Sequence, residues 1–409
     1  MRTHRSIARS AALAWIVLGP GAVGIARGED AASLHVRAAA SIASEDWESA
    51  DGWLRAILRE SPDDAEAAGA LRAIYEQSSV EIPVDEEALE RAQRELGEGF
   101  ALSKTKHFVI LSDCGAEWTA SRSALLERTY KQFERTMTRM GLEAVPPSTR
   151  MLCVLIRDHE QYASFAKRHD GVSAEWVGGY YAGSSNRVVF YDDITGPAFE
   201  QALEELAEYD DLAHESRDQA LNDRRDAHAS VLNERADRIL AFTRTERARL
   251  ELEATRTSTA KTIHEATHLI AYNCGLQDRR RLYPFWFSEG LAASFETEDS
   301  TQSFGPDRRS ESRDLEWDAI VEQGRVVPMD LLVTLTDVPG EDQRLAEAMY
   351  AQSYALFSYL YRYKREALAA YVRAVGAEPS GRVPPTRLLE LFEAHFGSAG
   401  ALERRLSRR

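Results

Sequence analysis

Two histidines, His264 and His268, stand four residues apart, with Glu265 directly after the first. On a helix, positions i and i+4 lie one turn apart on one face, so both imidazoles can reach a single cation. Zinc accepts neutral histidine nitrogens at about 2.0–2.1 Å and, in a catalytic setting, keeps one position open for water. A carboxylate beside the first ligand can take a proton from that water, which makes Glu265 the candidate general base. The chemistry implied is metal-assisted hydrolysis, with Zn2+ as the cofactor.

Such a centre needs a third protein ligand. Downstream, the run Trp-Phe-Ser-Glu-Gly-Leu-Ala at 286–292 reads as the start of a second, short helix, with Pro284 before it and Ser288 as a candidate cap. Glu289 falls twenty-one positions after His268. That gap suits the end of one helix, a loop and the first turn of a return helix whose carboxylate faces the imidazole pair. His264, His268 and Glu289 are therefore the expected metal ligands, with water in the fourth place.

His-Glu-Ala-Thr-His followed by Trp-Phe-Ser-Glu-Gly-Leu-Ala resembles the gluzincin metallopeptidases. More closely, it is similar to a bacterial peptidase MA-like family long filed as a domain of unknown function. The likeness spans roughly residues 104–405. It implies a zinc hydrolase acting on a peptide or protein substrate, with Glu265 as base. In gluzincins a phenol steadies the oxyanion, and in the aminopeptidase branch that tyrosine lies about sixty residues past the glutamate ligand. Tyr350 lies sixty-one past Glu289, and Tyr354 is the alternative one turn on. The family also holds substrate backbone on an edge strand. Gly178-Gly179-Tyr180-Tyr181 is the candidate here, since glycine permits close backbone approach. Thermolysin-like enzymes carry an Asp one turn after the glutamate ligand to orient a histidine. Position 293 is Ala, so Glu296 or a residue distant in sequence has to substitute.

The elements that must position these groups follow from pattern. Thr257 and Ser258 are candidate N-caps of the metal helix, and Gly275 is its candidate stop. Residues 107–111 and 151–156 read as strands, the second continuous enough to be central. Two further strands, 176–181 and 187–191, flank a Gly-Ser-Ser-Asn turn. Residues 117–140 repeat apolar positions at helical spacing. The 77 positions 198–274 contain neither Gly nor Pro and predict long antiparallel helices feeding into the metal helix, with Leu203, Leu206, Leu221, Leu232, Leu240 and Phe242 as a thin apolar stripe. His214 and His228 on this arm are expected to be solvent-exposed. Past the metal residues, 315–321, 329–335, 350–361 and 386–407 read as helices.

Upstream, Ala38, Ala50, Leu54, Ile57 and Pro62 match one tetratricopeptide-like helical hairpin, which cannot bury its own face and must dock elsewhere. The expected fold class is thus α+β. A small mixed sheet, an active-site helix and a helical C-terminal subdomain form a thermolysin- or gluzincin-like catalytic domain at 104–409. Within it lies a helical insertion at 198–255. A signal peptide (1–28), the hairpin (29–80) and a linker (81–103) precede it.

Composition sets the address. The first 28 residues carry Arg2, Arg5, Arg9 and Arg27 and no acid, then an apolar run broken by Gly-Pro-Gly and small residues before Glu29. This reads as a cleaved export signal, too short and broken for a stable membrane span, and predicts a periplasmic or secreted protein. Without it the net charge moves from −16 to 46 − 66 = −20, so nucleic acid is not an expected partner. Cys114, Cys153 and Cys274 make an odd count, which leaves at least one free thiol; Cys274 is off the ligand face. Two other functions fit the same residues. One is a catalytically weak metal-binding protein. The other is a scaffold whose hairpin or helical insertion recruits a protein partner.

Overall fold

The computed structural model describes residues 31–61, 64–77, 80–172, 178–340 and 342–407. The expected export signal, Pro62 and the first residues of the 176–181 strand lie outside them. Three helices come first: α1 (Ala31–Ala43), α2 (Trp47–Glu60) and α3 (Ala65–Gln77), where the sequence predicts a two-helix hairpin. Leu34, Leu54, Ile57, Leu71 and Ile74 form an apolar core of their own, completed by Val145 from the body of the protein. Arg55 fixes the contact by donating to the carbonyls of Pro146 (2.8 Å) and Pro147 (3.1 Å). Helix α4 (Glu86–Leu96) follows, capped by the Asp85 carboxylate.

The sheet comprises β1 (Ala101–Lys104), β2 (Phe108–Ser112), β3 (Met151–Ile156), β4 (Gly179–Ala182) and β5 (Arg187–Tyr191), in the order β1-β2-β3-β5-β4. Strands β2, β3 and β5 run parallel, and β1 and β4 are antiparallel edges. Helix α5 (Ala116–Met140) crosses between β2 and β3, and α6 (His159–Phe165) follows β3. The three parallel strands are buried at every position, which explains their unbroken apolar runs. Their side chains still alternate between faces. Phe108, Ile110, Cys153 and Leu155 pack toward α5 and the metal helix, whereas Val109, Leu111 and Leu152 meet α4 and Val154 and Ile156 meet α6. Arg187, 2% exposed, is neutralised inside by Asp170 (2.9 and 3.0 Å) and Glu95. All three cysteines are free; Cys153 and Cys274 are fully buried and Cys114 partly so.

Helix α7 (Pro197–Asn222) and α8 (Asp226–Asn273) pair antiparallel. At 48 residues, α8 is about 72 Å long and carries the metal residues in its last turns. It runs straight through Thr257 and Ser258, which are therefore not caps. No Gly or Pro interrupts α8 between Asp226 and Asn273, and Ser258 lies buried within it. The arm's seam also differs from the expected stripe. Leu206 and Leu232 are buried, but Leu221 and Phe242 face solvent, and Ala213, Ala220 and Ala236 fill the interface instead. Small residues let the two helices approach closely where leucines would hold them apart. His214 and His228 are exposed.

After α8 come β6 (Arg281–Leu282), α9 (Phe285–Phe295), α10 (Glu311–Glu322), α11 (Met329–Leu332), α12 (Gln343–Tyr363), α13 (Arg365–Ala377), β7 (Gly381–Arg382), α14 (Pro385–Phe396) and α15 (Ala399–Leu406). Pro284, not Ser288, occupies the N-cap of α9, and Ser288 lies inside its first turn, where its hydroxyl accepts from Gln277 (2.8 Å). The chain is thus a mixed α+β protein, mostly helical with a small sheet. No helix among the described residues is long and apolar enough to cross a membrane.

Candidate metal centre

Helix α8 brings His264, Glu265 and His268 to the interior, at 1%, 1% and 4% exposure. Glu289 arrives from α9, and the close crossing of α9 on α12 sets its depth. That crossing requires Gly290: a Cβ there would stand 2.4 Å from the Ser353 carbonyl oxygen and 2.7 Å from Phe357 Cβ. The donor atoms converge. His264 Nε2 lies 3.2 Å from His268 Nε2 and 3.2 Å from Glu289 Oε2, and His268 Nε2 lies 3.5 Å from Glu289 Oε1. Four donors placed tetrahedrally at zinc distances stand about 3.3 Å apart, so the spacing and the donor chemistry both fit zinc. Among the described residues, these three are the group able to hold a metal ion.

The orienting acid is Glu296, directly after α9. Its Oε1 lies 2.7 Å from His264 Nδ1. With the Nδ1 proton directed at this carboxylate, Nε2 is left as the lone-pair donor. Arg313 of α10 grips Glu296 through Nε (2.9 Å) and Nη2 (2.6 and 2.7 Å), and its Nη1 donates to Glu316 (2.6 Å). Seven residues separate Glu296 from Glu289, two helical turns on the same face, which is the sequence signal for this role. Nothing in the sequence points to Arg313.

Charge follows this geometry. Burial pushes Glu289 up, but His268 and His264 outweigh it and hold the carboxylate down to about 2. Burial likewise opposes ionisation of Glu296, and Arg313 and His264 overcome it. For His264 burial favours the neutral ring, yet Glu289 and Glu296 raise it to about 10. Glu265 goes the other way. Burial, with Glu289 and Glu296 adding repulsion, drives it well above the usual carboxylate range despite His264. Both its oxygens lack a hydrogen-bond partner; the Tyr181 amide of β4 faces the carboxylate and favours its charged form without reaching bonding geometry. A buried carboxyl without a hydrogen-bond partner is costly, and this one lies beside the three metal-type donors.

The two candidate phenols separate cleanly. Tyr354 is committed elsewhere, its hydroxyl accepting from the Ser310 amide at 3.1 Å. The Tyr350 hydroxyl is buried and has no partner, and it feels the charges of Glu289 and Glu265. The edge strand β4 lies against α8 as the substrate-strand expectation requires, but its glycines have a packing cause. A Cβ on Gly178 would overlap the Lys261 side chain, whose Nζ would be 2.0 Å away, and one on Gly179 would strike the Phe190 ring at 2.6 Å.

No curated protein matches the chain. Residues 258–380, from the last turns of α8 through α13 and including His264, His268, Glu289 and Tyr350, match the model of a family described as a protein of unknown function (DUF1570).

Proposed function

We propose that this chain is an exported zinc-dependent peptidase of the gluzincin type, with a thermolysin-like catalytic fold. The observation that carries this is the convergence of two imidazole nitrogens and a carboxylate at 3.2–3.5 Å, next to a buried carboxyl with no partner. His264, His268 and Glu289 would hold the ion. When bound there, zinc supplies a Lewis acid that polarises a carbonyl and makes water acidic near neutral pH.

The chain's own groups supply the rest. Glu265 takes a proton from the attacking water on its free carboxylate oxygen and returns it to the departing amine. Its burial keeps that proton affinity high enough for both transfers. Tyr350 donates its unpaired hydroxyl to the oxygen that gains charge as the peptide carbonyl becomes tetrahedral. Glu296 and Arg313 keep His264 in one tautomer. The outer edge of β4 offers main-chain groups to an extended peptide beside Glu265.

The test is metal content by mass spectrometry together with hydrolysis of casein and a peptide panel. Wild type should carry one zinc and cleave. Glu265→Gln should retain zinc and lose cleavage, and His264→Ala should lose both. A zinc-loaded wild type that cleaves nothing would leave a metal-binding protein without this activity.

A further inference from the structure

The arm formed by α7 and α8 has two unlike sides. On one, ion pairs cross the seam between the helices, Arg217 with Asp237 (2.9 Å) and Arg247 with Asp210. On the other, Tyr209 and Leu212 of α7 lie level with Phe242 of α8, the Tyr209 and Phe242 rings meeting edge-on at 5.6 Å. Helical spacing continues this second side along α8 through Val231, Arg235, Arg238 and Phe242, at i, i+4, i+7 and i+11. On α7 it runs through Glu208, Leu212 and Glu215, at i, i+4 and i+7. Its four apolar side chains, Tyr209, Leu212, Val231 and Phe242, are 37–56% exposed, where a solvated helix face carries polar residues. Arg238 and Glu215 are exposed and belong to no ion pair among the described residues.

We infer that this side of the arm binds a second copy of the chain, the two arms lying face to face about a two-fold axis parallel to their length. Charge selects that axis. Helix α7 carries eight acids and one arginine, whereas α8 from Asp226 to Arg256 carries six acids and six arginines. A two-fold axis across the arms would lay α7 on α7 and oppose like charges, which is costly. An axis along the arms lays α7 on the partner's α8 and keeps every residue at its own height. Phe242 then meets the partner's Tyr209 and the partner's Leu212. The Arg217–Asp237 pair sets Arg238 and Glu215 at nearly one height, so Arg238 faces the partner's Glu215. The area suffices. Helix α7, with 26 residues, is about 39 Å long and the hairpin about 20 Å wide, so each copy covers about 780 Å². A stable interface takes roughly 800 Å² from each partner. This inference needs no metal and stands apart from the proposed peptidase activity.

Sedimentation equilibrium of the full chain, 45.8 kDa per copy, tests it. Wild type should approach twice that mass at micromolar concentration. Phe242→Asp should raise the dissociation constant about 100-fold, with the circular dichroism unchanged because the side chain is exposed. Arg238→Glu should weaken the dimer about tenfold, and Arg238→Glu with Glu215→Arg in the same chain should restore it. Oxidation of mixed Leu212→Cys and Phe242→Cys chains should join position 212 of one to position 242 of the other, as read by peptide mass spectrometry. A chain that stays monomeric at every concentration overturns the inference, and so does a dimer that Phe242→Asp leaves intact. Monomeric protein that uses Phe242 to bind phosphatidylglycerol vesicles overturns it as well, by giving the face to a lipid surface. Cross-links that join only position 212 to position 212 overturn the axis, since they put α7 on α7.

Discussion

At the scale of single residues, the centre is defined by which polar atoms have partners and which do not. Glu296 is saturated by Arg313 and His264; Tyr350 and Glu265 are left open. This asymmetry makes opposite predictions for neighbouring side chains. Glu296→Gln should weaken zinc binding by about 10- to 100-fold, read by competition with a chelator, because the carboxylate that fixes the His264 tautomer is lost while the ligands remain. Tyr350→Phe should leave zinc affinity unchanged and lower kcat by about 100-fold with little effect on KM, since its donor acts only on developing charge. Tyr354→Phe, whose hydroxyl serves Ser310, should leave kcat alone. A result in which the two tyrosines exchange these outcomes would move the oxyanion donor to α12's next turn.

At the scale of elements, the close contacts that aim these side chains are where substitution costs most. Gly290→Ala forces a methyl group into the Ser353 carbonyl, so α9 must lift from α12 and carry Glu289 with it. The expected loss is about 3 kcal/mol in denaturant unfolding, with zinc affinity falling in parallel. A second junction, between β2 and α5, depends on pH. Glu127 accepts from the His107 amide (2.7 Å) and lies 2.7 Å from His107 Nδ1. Burial opposes its ionisation, but the His107 contacts prevail and hold it below its ordinary 4.5. A depressed carboxylate contributes stability above about 4.5, and that contribution is lost as pH falls through the folded value. Glu127→Gln should therefore lower stability by about 1 kcal/mol at pH 7, and the gap to wild type should close under acid conditions, as followed by thermal melts across pH.

The same scale shows what could be seen from sequence. The strands 151–156 and 187–191 were legible as apolar runs, the helix at 117–140 by its apolar spacing, and the paired long helices by the absence of Gly and Pro. The convergence of His264 with His268 was legible because i, i+4 spacing has geometric meaning on any helix. The false N-cap at Thr257 and Ser258 came from applying a local capping rule where the chain had no breaker to end the upstream helix. The arm's seam departs from the leucine stripe because Ala213, Ala220 and Ala236 carry it, and alanine gives a weak apolar signal. The short strands β1, β6 and β7 carry too few residues to show a period, and Arg313 reaches Glu296 only through the fold of a polar loop. Around the donor cluster, Glu296 was open to a reading of the sequence and Arg313 was not.

At the scale of the whole molecule, the candidate metal centre draws together parts of the chain far apart in sequence. Helix α8 carries the arm at one end, and at the other the Cys274 carbonyl accepts from the Val145 amide, next to the loop on which the N-terminal helices dock. Between those ends sit two buried acids: Glu265, which has no hydrogen-bond partner, and Glu289, which faces the histidine pair. Without a cation the Glu265 carboxyl stays buried with no hydrogen-bond partner, a cost that the folded state bears and the unfolded chain does not. Zinc that binds only the folded form then stabilises it by about 4 kcal/mol when free metal exceeds its dissociation constant a thousandfold. Chelation should accordingly lower Tm in calorimetry, and readdition of zinc should restore it. His264→Ala should melt at one temperature with or without zinc. Glu265→Gln, which keeps all three donors, should still rise with zinc. If chelation left the wild-type Tm unchanged, no ion would bridge α8 and α9, and the convergence of their side chains would have to be stable on hydrogen bonds alone.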